Sequence, residues 1–213
     1  MLFTETQLAA AVQCPRARAV RWHEPLMAAM HRRAITTPRR MAHFLAQVGH
    51  ESAGLLRVEE NLNYSASRLL EVFEDHFTPA TAAQYAGQPE RIGNRAYALR
   101  NGNGDEASGD GYRYRGRSPV HLTGRANYGW IGGLIGVPLE AEPDRAATVE
   151  IGAEIAAAYW TGRGLNLLAD GNDALAVSRK LNLGRTNTTR IPNGWTDRAA
   201  RTKAALHAFG IGP

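Results

Sequence analysis

The sequence predicts a mainly α-helical protein with at most short strands. Apolar residues recur at helical spacing in one segment after another, and Ser or Thr opens several of those segments, twice directly before proline. Strand signals are confined to short pieces such as Ser118 to Leu122. With 213 residues, 44% of them hydrophobic and 21% charged, the chain can fill the core of one domain. No repeat period or low-complexity linker divides it.

The elements follow in order. Thr4-Glu5-Thr6-Gln7 is a capping-box pattern that opens a helix over Leu8 to Val12, and Trp22, Leu26, Ala29 and Met30 trace a second. Thr37-Pro38 puts a capping hydroxyl before a proline at the first helical position; Met41, Phe44, Leu45 and Val48 then form one apolar stripe. That helix carries His50 and Glu51 at its C-terminal end, and Gly54 is placed to stop it. Glu59 to Ser65 reads as a polar, non-helical edge. Ser65 caps a helix through Leu69, Leu70 and Phe73, and Thr78-Pro79 starts another. Asn101 to Gly111 is rich enough in Gly, Asn and Asp to read as a long surface loop. Helical patterns return at Ala146 to Trp160, Ala174 to Leu181 and Thr196 to Phe209. The last is amphipathic, with Ala200, Leu206 and Phe209 expected inward; the other reading is a basic helix, through Arg198, Arg201 and Lys203, that disturbs an outer membrane.

Two acidic sites, Glu51 and Glu59-Glu60, sit across a short loop, with a Tyr114-Arg115-Gly116-Arg117 and Leu122-Thr123-Gly124 strip further on. Separated carboxylates are what glycosidic cleavage needs: one acid to protonate the leaving oxygen, one carboxylate to activate water or attack the sugar. Glu51 lies three residues after Val48, beside the buried stripe, where desolvation and the negative end of the helix would both favour a protonated acid. The plainer reading of both sites is solvated surface carboxylate. His50-Glu51 lacks the second histidine of a zinc protease, because position 54 is glycine. Asn101, Asn103 and Asp105 begin like a calcium loop, but Glu106 replaces its glycine and Tyr112 its final glutamate. No phosphate-binding glycine loop and no Gly-x-Ser-x-Gly elbow occurs, so nucleotide hydrolysis and serine esterase chemistry lack support. No cofactor or metal is expected.

A net charge of +5 and a pI near 9.7 favour an anionic partner: nucleic acid, an acidic wall polymer or a membrane surface, if not merely a solvated basic face. Arg113, Arg115 and Arg117 interleave with Tyr112 and Tyr114, yet stacked aromatics suit sugar faces as well as bases and no nucleic-acid motif accompanies them, so nucleic acid is not the expected partner. The single Cys14 excludes an intramolecular disulfide. No run approaches the roughly 18 apolar residues of a membrane span, and Met1 to Glu5 has no basic stretch leading into an apolar core, so the expectation is a chain without an export signal.

At these residues the sequence resembles glycoside hydrolase family 19, the chitinase-type hydrolases, and most closely its branch of bacteriophage endolysins and bacterial cell-wall lysozymes. The matching stretches are Phe44 to Ser52, Glu60-Asn-Leu-Asn-Tyr-Ser65, Ile92-Gly-Asn-Arg-Ala-Tyr97, Asn101 to Gly111 and Tyr114-Arg-Gly-Arg117. They run in the family's order over about residues 40 to 130, with weaker similarity to the C-terminus. The resemblance implies a lysozyme-like helical fold with a catalytic cleft between lobes, spanning 1–213 without a separate wall-binding module, and an inverting mechanism. Glu51 matches the general acid and Glu60 the general base, while Glu59 fits that pattern less well. Thr123 falls where a hydroxyl helps hold the attacking water. Asn127 and Asn182 fall where asparagines contact sugar, Arg198 matches a basic residue near the cleft, and Asn63, Tyr64, Arg117 and His121 complete the expected substrate contacts.

Such a pair predicts carboxyl groups roughly 6.5–9.5 Å apart, with Glu51 partly buried and Glu60 open to water among polar neighbours. The chain departs from the family at Ser118, where glycine is usual, at His121, where glutamine is common, at Asn182-Leu183-Gly184, where Asn-Gly-Gly is usual, and at Ala53, where some members carry threonine. The expected activity is cleavage of the β-1,4 bond between N-acetylmuramic acid and N-acetylglucosamine by a monomeric endolysin. It would rest in the host cytoplasm and need a holin or another lesion to reach its partner, the peptidoglycan strands of the periplasmic wall. A chitinase, a catalytically silent wall-binding module and a lytic transglycosylase are the other readings.

Overall fold

The structure is a computed structural model that describes residues 3–212; Met1 and Leu2, the start of the stretch read for an export signal, and Pro213 lie outside the described residues. Twelve α-helices occur among them: α1 Glu5–Val12, α2 Arg16–Arg32, α3 Pro38–Glu51, α4 Ala66–Val72, α5 Pro79–Tyr85, α6 Pro89–Ala96, α7 Asp110–Arg113, α8 Arg125–Ile135, α9 Val149–Gly162, α10 Leu165–Asp170, α11 Ala174–Leu183 and α12 Trp195–Ala208. Among the described residues none is long and apolar enough to cross a membrane. The chain divides into two compact units, one of residues 1–58, 118–120 and 147–213, the other of residues 59–117 and 121–146.

In the first unit α3 is the organising helix. Thr37 Oγ1 accepts from the Arg40 amide at 3.3 Å, Pro38 fills the first helical position, and Met41, Phe44, Leu45 and Val48 are buried. Burying each such side chain contributes about 1.5–3 kcal/mol. The opposite side is buried but polar, through His43 and Gln47, because α12, α11 and α10 pack there. The helix stops at Ser52, ahead of Gly54: the Ser52 hydroxyl donates to the Val48 carbonyl at 2.6 Å and accepts from the Leu55 amide at 2.8 Å. Glu51 therefore stands in the last turn, where the sequence puts it. On α12, Arg198, Thr202, Ala205 and Leu206 are buried and Phe209 is partly so, while Ala200, expected inward, is exposed. Arg198 and Arg201 are bonded within the protein, and Lys203 is exposed.

The second unit has its own core of Leu62, Leu69, Phe77, Ala82, Tyr85 and Ile92. Two expectations fail, one in this unit and one in a stretch divided between the two units. Residues 101–111 are not plain surface loop: a 3-10 turn spans Glu106–Ser108, α7 begins at Asp110, and Asn103 and Asp110 are buried. The polar side chains are spent on backbone, with Asp105 Oδ1 accepting from the Ser108 amide at 3.0 Å, Asp110 Oδ2 from Gly104 at 2.9 Å and Asn103 Oδ1 from Arg125 at 2.9 Å. The anticipated strand at Ser118 to Leu122 is a turn, since Ser118 (φ +72°) and His121 (φ +49°) are left-handed; only isolated bridges, Glu59 to Arg117 and Arg117 to Leu122, flank it. Ser118 thus occupies a conformation that favours the glycine it replaces.

Candidate active site

In the first unit, Glu51 is half-buried, its side chain 21% exposed, and its Oε1 accepts from Arg198 Nη2 at 2.5 Å. Arg198 is itself buried. Its Nη1 donates to Gln47 Oε1 at 2.6 Å and its Nε to the Asn193 carbonyl at 2.8 Å. Gln47 lies one turn before Glu51 on the same helix face and passes its own N–H to Ser178 Oγ at 3.2 Å. The guanidinium is thus held from three sides, and its charge offsets the negative end of α3. Asn182 belongs to the same network, because its Oδ1 accepts from the Asn193 amide at 2.9 Å.

His50, next to Glu51 in the chain, makes a separate set of bonds. Its Nδ1 lies 2.6 Å from Asp197 Oδ2, which also accepts from Arg201 Nε at 2.7 Å. Burial alone would push the Asp197 carboxyl up, but the hydrogen bonds from His50 and Arg201 hold it below its usual range. Gly194 makes room, since a β-carbon there would stand 2.4 Å from His50 Cε1.

In the second unit, the backbone places Glu60. Its amide donates to the Gly116 carbonyl at 2.8 Å, and the Gly116 amide returns to Glu60 Oε2 at 3.2 Å. Glu60 Oε1 accepts from the Tyr97 hydroxyl at 2.5 Å. Burial, the Glu60 charge and this hydrogen bond push the Tyr97 phenol far above its ordinary value, so it stays a donor. Neighbouring Glu59 is occupied otherwise, bonded to Arg115 and to Arg117 Nε at 3.1 Å.

Thr123 and His121 join Glu60. A β-carbon on Gly116 would stand 3.1 Å from His121 Nδ1, 3.3 Å from Thr123 Oγ1 and 3.4 Å from Glu60 Oε2. The Thr123 hydroxyl donates to the His121 carbonyl at 2.8 Å, and Asn127 Nδ2, in the first turn of α8, donates to the Thr123 carbonyl at 2.8 Å. Asn63 is exposed, and Tyr64 is half-buried with its ring edge-on to Phe73 at 5.7 Å. Arg117, expected among the substrate contacts, is 1% exposed; it is bonded to Glu59, to the Arg113 carbonyl at 2.8 Å, to Tyr128 Oη at 3.2 Å and to Asp144 at 2.5 Å. It fastens the wall beside Glu60 and offers no donor to a ligand.

Sequence reasoning missed Gln47, Asn193, Asp197, Tyr97 and Gly116, and weighed His50 only as a zinc ligand. Faint signals existed, since Gln47 is four residues before Glu51 and Tyr97 closes the Ile92 to Tyr97 stretch. Among the described residues no group of three or more His, Cys, Asp and Glu side chains is placed to hold a metal ion.

No protein-family profile matches the chain. A curated protein of Haemophilus influenzae, described as a glycosyl hydrolase family 19 domain-containing protein, is 40% identical over 163 residues, 76% of this chain and 80% of that one. Solved structures share the fold. A bacterial family 19 chitinase superposes with a TM-score of 0.62 at 18% identity over 100% of this chain and 97% of its own. Chitinase C from Streptomyces griseus HUT6037 gives 0.62 at 17% identity over 99% and 94%, and a chitinase C mutant gives 0.61 at 17% over 99% and 78%. The mainly helical architecture is therefore that of the family 19 chitinases, and with the long match to the Haemophilus protein the chain belongs to glycosyl hydrolase family 19.

Proposed function

We propose that this family 19 glycosidase is a peptidoglycan hydrolase of the endolysin type, cleaving the β-1,4 bond between N-acetylmuramic acid and N-acetylglucosamine with inversion. The observation that carries the reading is that both family-matched carboxylates are positioned by fixed donors, Glu51 by the buried Arg198 guanidinium and Glu60 by the Tyr97 phenol and the Gly116 amide; which one acts as acid follows the family match. In this reading Glu51 gives its proton to the leaving oxygen, and Arg198 stabilises the carboxylate left behind. Glu60 takes a proton from the attacking water, with both its oxygens fixed by donors. The Thr123 hydroxyl, its proton committed to the His121 carbonyl, offers lone pairs to the same water. Asn127 braces Thr123, and Asn63, Tyr64, His121 and Asn182 are the candidate sugar contacts.

The choice of peptidoglycan rests on charge, since a net +5 draws the protein onto an anionic wall and gives no such advantage on uncharged chitin. Access from the host cytoplasm through a holin-made or other lesion belongs to the same reading. A chitinase is the second reading, favoured by the likeness to solved chitinases. Outer-membrane-stripped Gram-negative peptidoglycan and chitin oligomers, offered to wild type, Glu51→Gln and Glu60→Gln with mass spectrometry of the fragments, decide between them. Wall cleavage yielding hydrated reducing ends, lowered about 10³-fold in either variant, supports the proposal. Cleavage of chitin alone moves the assignment to a chitinase, anhydro-muramyl ends to a transglycosylase, and wall activity surviving in Glu51→Gln sinks the acid assignment.

A further inference from the structure

We propose that the second unit carries a peptide subsite, an arginine-lined cavity on the reverse of the Glu60 wall that takes the stem peptides of peptidoglycan by their carboxylates and free amine. The proposal rests on the peptidoglycan reading above. The cavity measures about 560 Å³, and its lining includes Tyr112, Arg113, Arg115, Glu142, Asp144 and Arg145. That volume is in the range of small-ligand sites, roughly 300–1,000 Å³.

Its place follows from which way three consecutive residues face. A β-carbon on Gly116 would face Glu60 Oε2, Thr123 Oγ1 and His121 Nδ1, whereas the side chains of Arg115 and Arg117 on either side of it reach Glu59 and line the cavity. The cavity and the catalytic carboxylate therefore share a wall without sharing a space.

Its chemistry is amphoteric. Arg115 lies over the Tyr112 ring, 4.1 Å from its centroid, and donates to the Tyr112 carbonyl at 2.9 Å. Arg113 is exposed; it donates to the Ala141 carbonyl at 3.3 Å and lies 5.6 Å from the Tyr114 ring, with no carboxylate partner among the described residues. Its remaining N–H groups suit a ligand carboxylate, which a guanidinium binds in fork geometry. Opposite charges stand beside it: the Asp144 side chain is 87% exposed even while it accepts from Arg117, and Glu142 accepts from Arg145 at 2.9 Å. Two exposed carboxylates repel a polyphosphate and attract an ammonium group. A short peptide with several carboxylates and one free amine meets both halves of this lining, as the stem peptides of Gram-negative walls do. Chitin, with only hydroxyl and acetamide groups, meets neither.

The test titrates the intact protein with the N-acetylated stem tetrapeptide (N-acetyl-L-Ala, γ-D-Glu, meso-diaminopimelate, D-Ala), which keeps the single amine it has in the wall, following amide shifts and heat. It also compares turnover of peptide-bearing wall with that of glycan strands stripped by an amidase. Expected are peptide binding that weakens about tenfold in Arg113→Ala and further with added salt, and a raised KM of that variant on peptide-bearing wall beside unchanged turnover of stripped strands. Absence of peptide binding, binding indifferent to Arg113→Ala, or a wild-type KM that is the same with and without peptides overturns the subsite while leaving a hydrolase that cuts both substrates intact. Failure to cut either glycan overturns the peptidoglycan reading instead, and the tetrapeptide titration still decides the subsite.

Discussion

The Tyr97 hydroxyl donates to Glu60 Oε1 at 2.5 Å while the Gly116 amide serves Oε2 at 3.2 Å, so a side chain and a backbone group from distant parts of the second unit fix one carboxylate. Tyr97→Phe removes the first donor and keeps the ring, which sits edge-on to Phe73 at 6.0 Å. A hydrogen bond to a charged group contributes about 1.5–3 kcal/mol, so kcat should fall about 10- to 100-fold and stability by no more than about 3 kcal/mol. Steady-state kinetics beside a melting curve checks this; an unchanged kcat would remove Tyr97 from the site. Because burial and Glu60 push the phenol far up, the wild type should show no alkaline loss of activity from Tyr97 up to about pH 10.

Arg198 makes the opposite kind of test, because one buried guanidinium makes three hydrogen bonds at once. Lysine keeps the charge but has no fork, and it cannot serve Glu51, Gln47 and the Asn193 carbonyl together. Arg198→Lys is expected to lower kcat about 100-fold and to cost about 3 kcal/mol of stability, since Gln47 and the Asn193 carbonyl lose their donor. Urea unfolding and kinetics on the same preparation measure both. A variant with full stability and full activity would show that the network around Glu51 is dispensable.

What was legible in the sequence is what repeats locally. Thr37, Pro38 and the stripe from Met41 to Val48 specify α3 within one short window, so the position of Glu51 in its last turn could be read directly. Ser118 to Leu122 misled because its apolar residues resemble a strand, while the left-handed backbone at Ser118 and His121 leaves no trace in composition. The partners of Glu60 were hidden for a different reason. Tyr97 and Gly116 lie 37 and 56 positions away, and no local period reports a contact made by folding. The same holds for Arg198, which lies 147 positions from Glu51 and whose place as the clamp depends on α12 lying along α3.

Gly116→Ala isolates the chemistry from the fold. The new methyl would press on Glu60 Oε2, Thr123 Oγ1 and His121 Nδ1 at 3.1–3.4 Å, distances that side chains accommodate by moving a few tenths of an ångström. Stability should therefore change by no more than about 1–3 kcal/mol, whereas the space shared by the base and the hydroxyl proposed to hold water is taken. Activity is expected to fall more than about 100-fold, measured at a temperature where the variant remains folded. Retained activity would place the attacking water away from Thr123.

Stability should fall on the acid side because two histidines are held neutral. Burial lowers the pKa of His43, with the hydrogen bond to Asn172 only partly opposing it, and burial followed by the Arg100 charge lowers that of His76. A histidine in the unfolded chain titrates near 6.5, so below that pH the unfolded state binds protons that the folded state refuses. Stability from each group is complete above about pH 6.5 and declines as pH falls toward the folded pKa, by at most about 1.4 kcal/mol per pH unit for each. His43 is fully buried, with Nδ1 unpartnered and Nε2 2.9 Å from Asn172 Oδ1. His43→Gln keeps an N–H for Asn172 and cannot titrate. Urea midpoints at pH 7.5 and pH 5 should therefore differ less in the variant than in the wild type, and an equal difference in both would assign the acid sensitivity to His76 or to the carboxylates.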